Sequence, residues 1–372
     1  MRDLILLGGG HAHVAVIREF GLHPLADVRA SLVSPSRYTP YSGMLPGLIA
    51  GHYTFEEAHI DLERLCAFAT ARFVIDEAIG LDPGKQRVIC RDGGEIAYDL
   101  CSIDIGSAPN TTKVHGASGH ALPVKPIARF LSAWDALRER AMAADRPFRI
   151  AVGGGGAGGT ELAFSVQHAL RETHASLGLF TDRSEIVPSH SKGARRRLMR
   201  QLAQKDIAVH TGAEVAEVTG QGLRLASGAF HAFDAVLWTT EAAAPEWLRE
   251  TGLTLTLDGF IAVTDTLQST SHENVFAAGD VATMIHHARE KAGVVAVRQG
   301  PSLTRNLHRL LSGLAPEPFV PQSRWLSLVS TGHKNAVASW YALSAEGRLV
   351  WQWKDWIDRR FMARYSDLRA SL

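Results

Sequence analysis

Apolar and polar positions along the chain change period in a repeating order. Leu4 to Leu7 form a short apolar run closed by three glycines, His11 to Phe20 carry apolar side chains at helical spacing, and Val28 to Val33 form a second apolar run. That order predicts strand, tight turn, helix, strand. It returns in mid-chain as Ile150 to Val152, the segment GGGGAGG, helical spacing from Thr160 to Thr173, and Leu177 to Phe180. Two such βαβ units predict two dinucleotide-type domains.

Between the units, Phe73 to Ala78, Arg87 to Cys90, Glu95 to Tyr98 and Leu100 to Ile105 read as short strands closed by GSAPN. After the second unit, Ala208 to His210, Glu214 to Thr219, Gly222 to Ala226 and Ala235 to Thr239 read the same way, and AAAP at Pro245 marks a crossover. From Leu257 the strand character runs into an FAAGD turn. A helix is expected from Gly293 to Leu311, PEPFVP is a linker, and the tail from Trp325 alternates as strands before a helix from Trp353 towards Leu368.

Composition narrows the class. At 372 residues and 46% hydrophobic, the chain can bury two or three cores. Lys plus Arg number 39 against 38 Asp plus Glu, so no overall field favours nucleic acid, and none is expected as a partner. Cys66, Cys90 and Cys101 lack the spacing of a metal knuckle or a redox pair, and are expected as reduced, buried thiols with no metal. MRDLILL is shorter than a signal-peptide core, which points to a cytoplasmic protein. In the last helix, Trp353, Trp356, Ile357, Phe361, Tyr365 and Leu368 fall on one stripe, with Lys354, Arg359 and Arg364 off it. Packing on the protein or on a second copy is the plainer account; peripheral contact with the inner face of a membrane stays open, as does a homodimer.

The chemistry lies in the loops. A dinucleotide pyrophosphate needs backbone N–H groups at a helix N-terminus and glycine where a side chain would block its approach. Gly8 and Gly10 fit, but the third glycine of the motif falls on His13, and the residue expected to hold a ribose is Ser34 rather than an acid. In the second loop Gly154, Gly156 and Gly159 complete the motif between a strand and a helix. Glu161 lies in the first turn of that helix. The second strand ends in Thr181, Asp182 and Arg183, where Asp182 stands one place late for a ribose diol and Arg183 could pair a 2′-phosphate, so NADH against NADPH stays open.

With VGGGGAGGTELA, DLCSIDIGSAPN, and NVFAAGDVA followed by KAGVVAVRQG, the sequence resembles the FAD-dependent pyridine nucleotide-disulfide oxidoreductase superfamily, in the branch similar to type II NADH dehydrogenases. More narrowly, GGGHAHV, SPSRYTPYSGMLPGLIAGHY and WQWKDWIDRRFM look like the flavoprotein group found alone or fused ahead of selenide, water dikinase. The implied fold class is α/β: two Rossmann-like (FAD/NAD(P)-binding) domains, the second inserted in the first, plus a small C-terminal α+β region. The expected bounds are 1–120 and 259–316 for the FAD-binding domain, 121–258 for the NAD(P)H-binding domain and 317–372 for the C-terminal region. The resemblance implies FAD about Gly8, Gly10, His11, Ala12, Ser34, Pro35, Arg37, Ala78, Gly106, Gly279, Asp280, Gly293 and Val294. It implies NAD(P)H about Gly154, Gly156, Ala157, Gly159, Glu161, Thr181, Asp182 and Arg183.

The expected reaction is hydride transfer from the nicotinamide to the flavin, with the protein supplying stacking geometry and charge. Glu161, near the nicotinamide, and Lys291, as a stabiliser of the reduced ring, are the expected catalytic residues. No cysteine pair follows the first helix and none lies beyond Cys101, which disfavours disulfide and sulfide:quinone chemistry. Transfer to a quinone or other small acceptor remains, although of the quinone-site signature that the resemblance implies, Ala296 and Gln299 match while Val294 and Arg298 do not. A second reading is a flavin-binding partner or sensor linked to selenium metabolism with a vestigial nicotinamide site; it rests on Thr181 and on Glu241, where such folds usually carry an ATG turn.

Overall fold

The computed structural model describes residues 1–240 and 242–368. Glu241 lies outside the described residues, as do residues 369–372. Ten short strands make two parallel sheets. The first contains β1 (Arg2–Leu7), β2 (Val28–Ser34), β3 (Arg72–Ile75) and β4 (Leu100–Ile103); the second contains β5 (Ala121–Pro123), β6 (Arg149–Gly153), β7 (Ser176–Phe180), β8 (Ile207–His210) and β9 (Ala235–Trp238). β10 (Val275–Ala277) returns to the first sheet, whose order is β10-β4-β1-β2-β3, while the second runs β5-β9-β6-β7-β8. The second sheet is thus inserted before the last strand of the first.

The apolar runs form strands because both faces of each sheet are covered. Leu4, Ile5, Leu6 and Leu7 are all at most 2% exposed. Register aligns the ends: Leu7 pairs with Val33 on one side and Ile103 on the other. The turns after β1, β2, β4 and β10 therefore share one edge, where doubly wound sheets hold ligands.

Six long helices cover the sheets: α1 (His11–Leu22), α2 (Ile127–Met142), α3 (Ala157–Ala169), α4 (Lys192–Gln204), α5 (Gly293–Leu311) and α6 (Arg348–Ser366). α5 crosses α1 closely, because Gly300 faces Ala12 and Ala15 and a Cβ there would come within 2.9 Å of Ala15 Cβ. The close contact expected of a third glycine in the first loop is therefore supplied from α5. His13, at that third position, points inward: its Nδ1–H donates to the Gly8 carbonyl at 2.7 Å and its Nε2 accepts from the Ser102 hydroxyl at 2.9 Å.

Three differences from the sequence pattern have physical causes. α2 has no counterpart in the expected elements, because its flanks, Pro123 and Pro126, resemble a linker; Phe130, Trp134, Leu137 and Ala141 nonetheless make a buried helical stripe. The expected strand 73–78 is split, β3 ending at Ile75 and an antiparallel strand beginning at Ala78. α6 starts at Arg348 and its expected stripe divides: Phe361 and Tyr365 are buried, as are Lys354 and Asp358, whereas Trp353 and Trp356 face outward. α6 packs on a three-stranded antiparallel sheet of β11 (Ser327–Ser330), β12 (Ala336–Trp340) and β13 (Leu343–Gly347).

The buried imidazole gives a pH test. Burial holds His13 down to about 4, partly offset by the Gly8 carbonyl, against 6.5 when free. The unfolded chain then takes up a proton that the fold refuses, so stability should be lost as pH falls from 6.5 towards 4. His13→Ala should lower the unfolding free energy at pH 7 by about 2–3 kcal/mol, since it strands the Gly8 carbonyl and the Ser102 hydroxyl. Its acid loss should also be shallower than that of the parent in urea titrations.

Candidate functional site

The first site is assembled around Asp104, the residue that follows β4. Gly10 N–H donates to the Asp104 carbonyl at 3.2 Å. Asp104 Oδ2 accepts the N–H groups of Ala12 at 2.8 Å and His13 at 3.2 Å, so a carboxyl of the chain occupies the N-terminus of α1. This neutralises two of the four orphan donors of the helix end and suits its dipole. Gly10 is obligatory here, because a Cβ would fall 2.2 Å from the Asp104 carboxyl carbon. Burial pushes the Asp104 carboxyl up to about 7; the two helix N–H groups oppose this and the neighbouring Asp280 reinforces it.

Gly279 and Asp280 follow β10 in a single helical turn. Gly279 has φ +69°, donates its N–H to Gln299 Oε1 at 2.7 Å, and would place a Cβ 2.4 Å from Asp104 Oδ1. Asp280 accepts the Ser107 hydroxyl at 3.2 Å and makes an ion pair with Lys125. His11, at the start of α1, accepts the Ser42 N–H at 3.4 Å and sets its ring edge-on to Tyr41. Burial keeps His11 near 4, opposed by Asp280. Gly293 opens α5 beside Ser42 and His11, and no side chain caps that helix, so its positive end is left towards them. Gly8, Gly10, Gly106, Gly279 and Gly293 thus line one edge with little side-chain bulk, a cradle that fits a dinucleotide.

Several expected residues are already engaged. Lys291 donates to the Ala282 carbonyl and to Thr283 Oγ1 at 2.8 Å, lies 4.0 Å from the Phe260 ring centre, and is pulled down to about 8 by burial. It lines a small cavity together with Gly279, Asp280 and Gln299. Val294 lines a second cavity with Arg298 and Trp325. Ser34 is buried at the end of β2, with its hydroxyl on the Ser36 carbonyl, while Pro35 is exposed. Its own carbonyl accepts Asp76 N–H at 3.1 Å, which brings Ala78 near the same edge. Arg37 pairs on the surface with Asp61 at 2.7 Å and Glu63 at 2.8 Å.

The second loop is built differently. Gly154 turns the chain after β6, and Gly159 lets α3 close on it, since a Cβ there would stand 1.9 Å from the Gly154 carbonyl. Gly156 caps α3 with no side-chain hydrogen bond, and because the helix begins at Ala157 its first turn holds no acid: Glu161, expected there, falls in the second turn. Among the described residues, the donors filled by Asp104 in α1 have no side-chain acceptor in α3. Thr181 is buried below Gly155, its hydroxyl accepting Arg183 N–H at 3.2 Å. Asp182 and Arg183 are exposed and pair with each other at 3.7 Å.

Glu161 turns towards the C-terminal region and accepts the Ser330 N–H at 2.7 Å. Burial raises its carboxyl, and Lys354 draws it back. Lys354 donates to the Gly43 carbonyl at 2.6 Å and to Asp358 at 2.7 Å. Burial works against its charge, but Asp358 and Glu161 together hold it above an ordinary lysine. The Tyr41 hydroxyl faces Asp358 and helps to draw its carboxyl down against burial. A buried polar chain therefore runs from α3 through α6 to the segment beside His11. Asp104, Lys125, Tyr41, Lys354 and Asp358 escaped the sequence reading. The only signal for Asp104 was an acid closing an otherwise apolar strand.

The family model described as pyridine nucleotide-disulphide oxidoreductase matches residues 2–300. Among curated proteins, the chain is similar to the NADH dehydrogenase-like protein YutJ of Bacillus subtilis, 21% identical over 90% of this chain and 91% of that one. It is similar at 21% identity to the type II NADH:quinone oxidoreductase of Staphylococcus aureus, over 96% and 94% of the two chains. Among solved structures, NDH2 from Plasmodium falciparum in complex with NADH superposes with a TM-score of 0.84 at 14% identity, covering 98% of each chain. With four-fifths of its length matched by that family model, this chain belongs to the pyridine nucleotide-disulphide oxidoreductase family.

Proposed function

We propose that the chain passes electrons from NAD(P)H through FAD to a quinone or another diffusible acceptor, without a redox disulfide. The observation that carries this reading is the pair of unlike phosphate cradles, one around Asp104 and Asp280 and one at the open N-terminus of α3. Bound FAD supplies a ring that takes a hydride and releases its electrons onward. The chain's own part is placement and charge. Lys125 and Ser107 fix Asp280, α5 directs its positive end towards Ser42 and His11, and Lys291 stands as a cation beside Asp280. Glu161, held by Ser330 and drawn towards Lys354, fixes how α3 meets the C-terminal region.

The cysteines support a disulfide-free route. Cys66, Cys90 and Cys101 are free and buried, and burial pushes the Cys66 thiol up to about 12, far from a reactive thiolate. An oily acceptor is favoured by the outer face of α6, where Leu349, Trp353 and Trp356 are exposed and Arg360 lies over the Trp356 ring. Aromatic rings beside arginine suit the headgroup layer of a membrane. No helix among the described residues is long and apolar enough to cross one. The narrower kinship with the group found beside selenide, water dikinase rests on the sequence segments alone.

Anaerobic mixing with NADH and with NADPH should bleach the visible absorbance of the flavin promptly, the faster donor reporting how Asp182 and Arg183 read the ribose. Absence of bleaching with both would sink the enzyme reading. Glu161→Gln should slow bleaching by roughly tenfold at unchanged flavin content; an unaltered rate removes Glu161 from the site. Gly279→Ala should yield protein without flavin colour, because its Cβ would be driven onto Asp104.

A further inference from the structure

At an open glycine loop the first N–H groups of the helix receive the phosphates. Among the described residues no side chain binds those groups in α3, whereas in α1 Ala12 and His13 N–H are already bound to Asp104 Oδ2, and Gly10 N–H to the Asp104 carbonyl. The other carboxyl oxygen, Oδ1, faces the Gly279 backbone, so the carboxyl fills the gap between the two turns that form the cradle. Any phosphate settling there meets this group.

Its charge is then the question. Among the described residues no lysine, arginine or histidine makes an ion pair with Asp104. Lys125 is paired with Asp280, Lys291 is turned onto the Ala282 carbonyl and Thr283, and His11 and His13 are kept neutral by burial. Asp280 adds a like charge beside it. An ionised Asp104 would thus face Asp280 and two phosphate charges with no cation of its own. A neutral carboxyl avoids this, and keeps Oδ2 as the acceptor for α1 while Oδ1–H becomes a donor.

We propose that Asp104 is a proton-bearing ligand of the flavin pyrophosphate, holding α1 with one oxygen and offering the proton on the other to the phosphates, so that FAD is taken up together with a proton. The proposal rests on the flavin reading above and adds a titration to it. Without FAD the carboxyl releases its proton near 7, and the phosphates raise that value further. The sign follows: below about 6 the proton is already present and affinity is level, whereas above 7 each binding event draws a proton from solution. Affinity should then weaken by roughly tenfold per pH unit. Lys291, pulled down to about 8, loses part of its own proton at the top of the range, so Asp104 is isolated by comparison with a variant that keeps Lys291 and lacks the carboxyl.

The test follows the fluorescence of flavin released on dilution of the full-length protein between pH 6 and pH 8. The parent should hold FAD level from 6 to 7 and lose about tenfold in affinity by 8. Asp104→Asn places an amide where the protonated acid would stand, acceptor towards α1 and donor towards the phosphates, and its retention should change by no more than about twofold across the window, the part left to Lys291. A flat parent, or a variant with the parent's slope, overturns the proposal. A second measurement needs no variant: FAD added to the flavin-stripped parent at pH 8 in weak buffer should consume close to one proton per site, and no uptake overturns it. A parent that holds no FAD even at pH 6 strikes instead at the flavin reading itself.

Discussion

The distance between β1, α1 and the turn after β10 is set by one buried carboxyl group. Asp104 reaches the helix with Oδ2, the first loop with its carbonyl, and the Gly279 turn with Oδ1. Gly8, Gly10 and Gly279 beside it are positions where a side chain would collide with Asp104, so glycine there is required by this residue as much as by any ligand. A structure of this kind carries a local conflict: an acid with no cation beside it among the described residues is buried because three backbone turns converge on it. Desolvation of such a group costs several kcal/mol if it stays ionised. The conflict is relieved by hydrogen bonds from α1 and by proton uptake, and both mark the group as part of the site rather than of the packing.

The two glycine loops share a motif but divide its work differently. In the second, Gly159 permits α3 to close on its own loop, and the helix end stays open. In the first, His13 stands at the same position and fastens β1 to β4, while Gly300 of α5 supplies the close approach. The tight contact has moved from within the βαβ unit to a helix almost three hundred residues later, which explains why the first loop reads as a broken motif. It also ties the first sheet to the segment carrying Asp280 and Gln299, so that neither half of the cradle closes without the other.

What was legible in the sequence follows from range. Leu4–Leu7 and Ile150–Val152 announced buried parallel strands because apolar runs ending in glycines have few other uses, and the FAAGD turn disclosed Asp280. α2 was hidden by the prolines around it, although its buried stripe of Phe130, Trp134 and Leu137 is plain once its ends are known. Lys354 was placed off the apolar stripe of the last helix because a charge at helical spacing ordinarily faces water, and Asp358 drew no notice for the same reason. Their burial depends on Glu161, Gly43 and Tyr41, which arrive from other parts of the chain, and no local pattern encodes that meeting.

The same meeting gives α6 its double character. Its inner face buries a lysine whose charge is held by two carboxylates, Asp358 of the same helix and Glu161 of α3, so the helix cannot leave without stranding Glu161 as a buried acid without its cation. Its outer face shows Leu349, Trp353 and Trp356. A helix tied on one side by Lys354 to the Gly43 carbonyl and left apolar on the other can carry its outer face against an oily phase without moving the inner one. The polar chain from Glu161 to Tyr41 lies on the buried face, opposite the exposed Trp353 and Trp356.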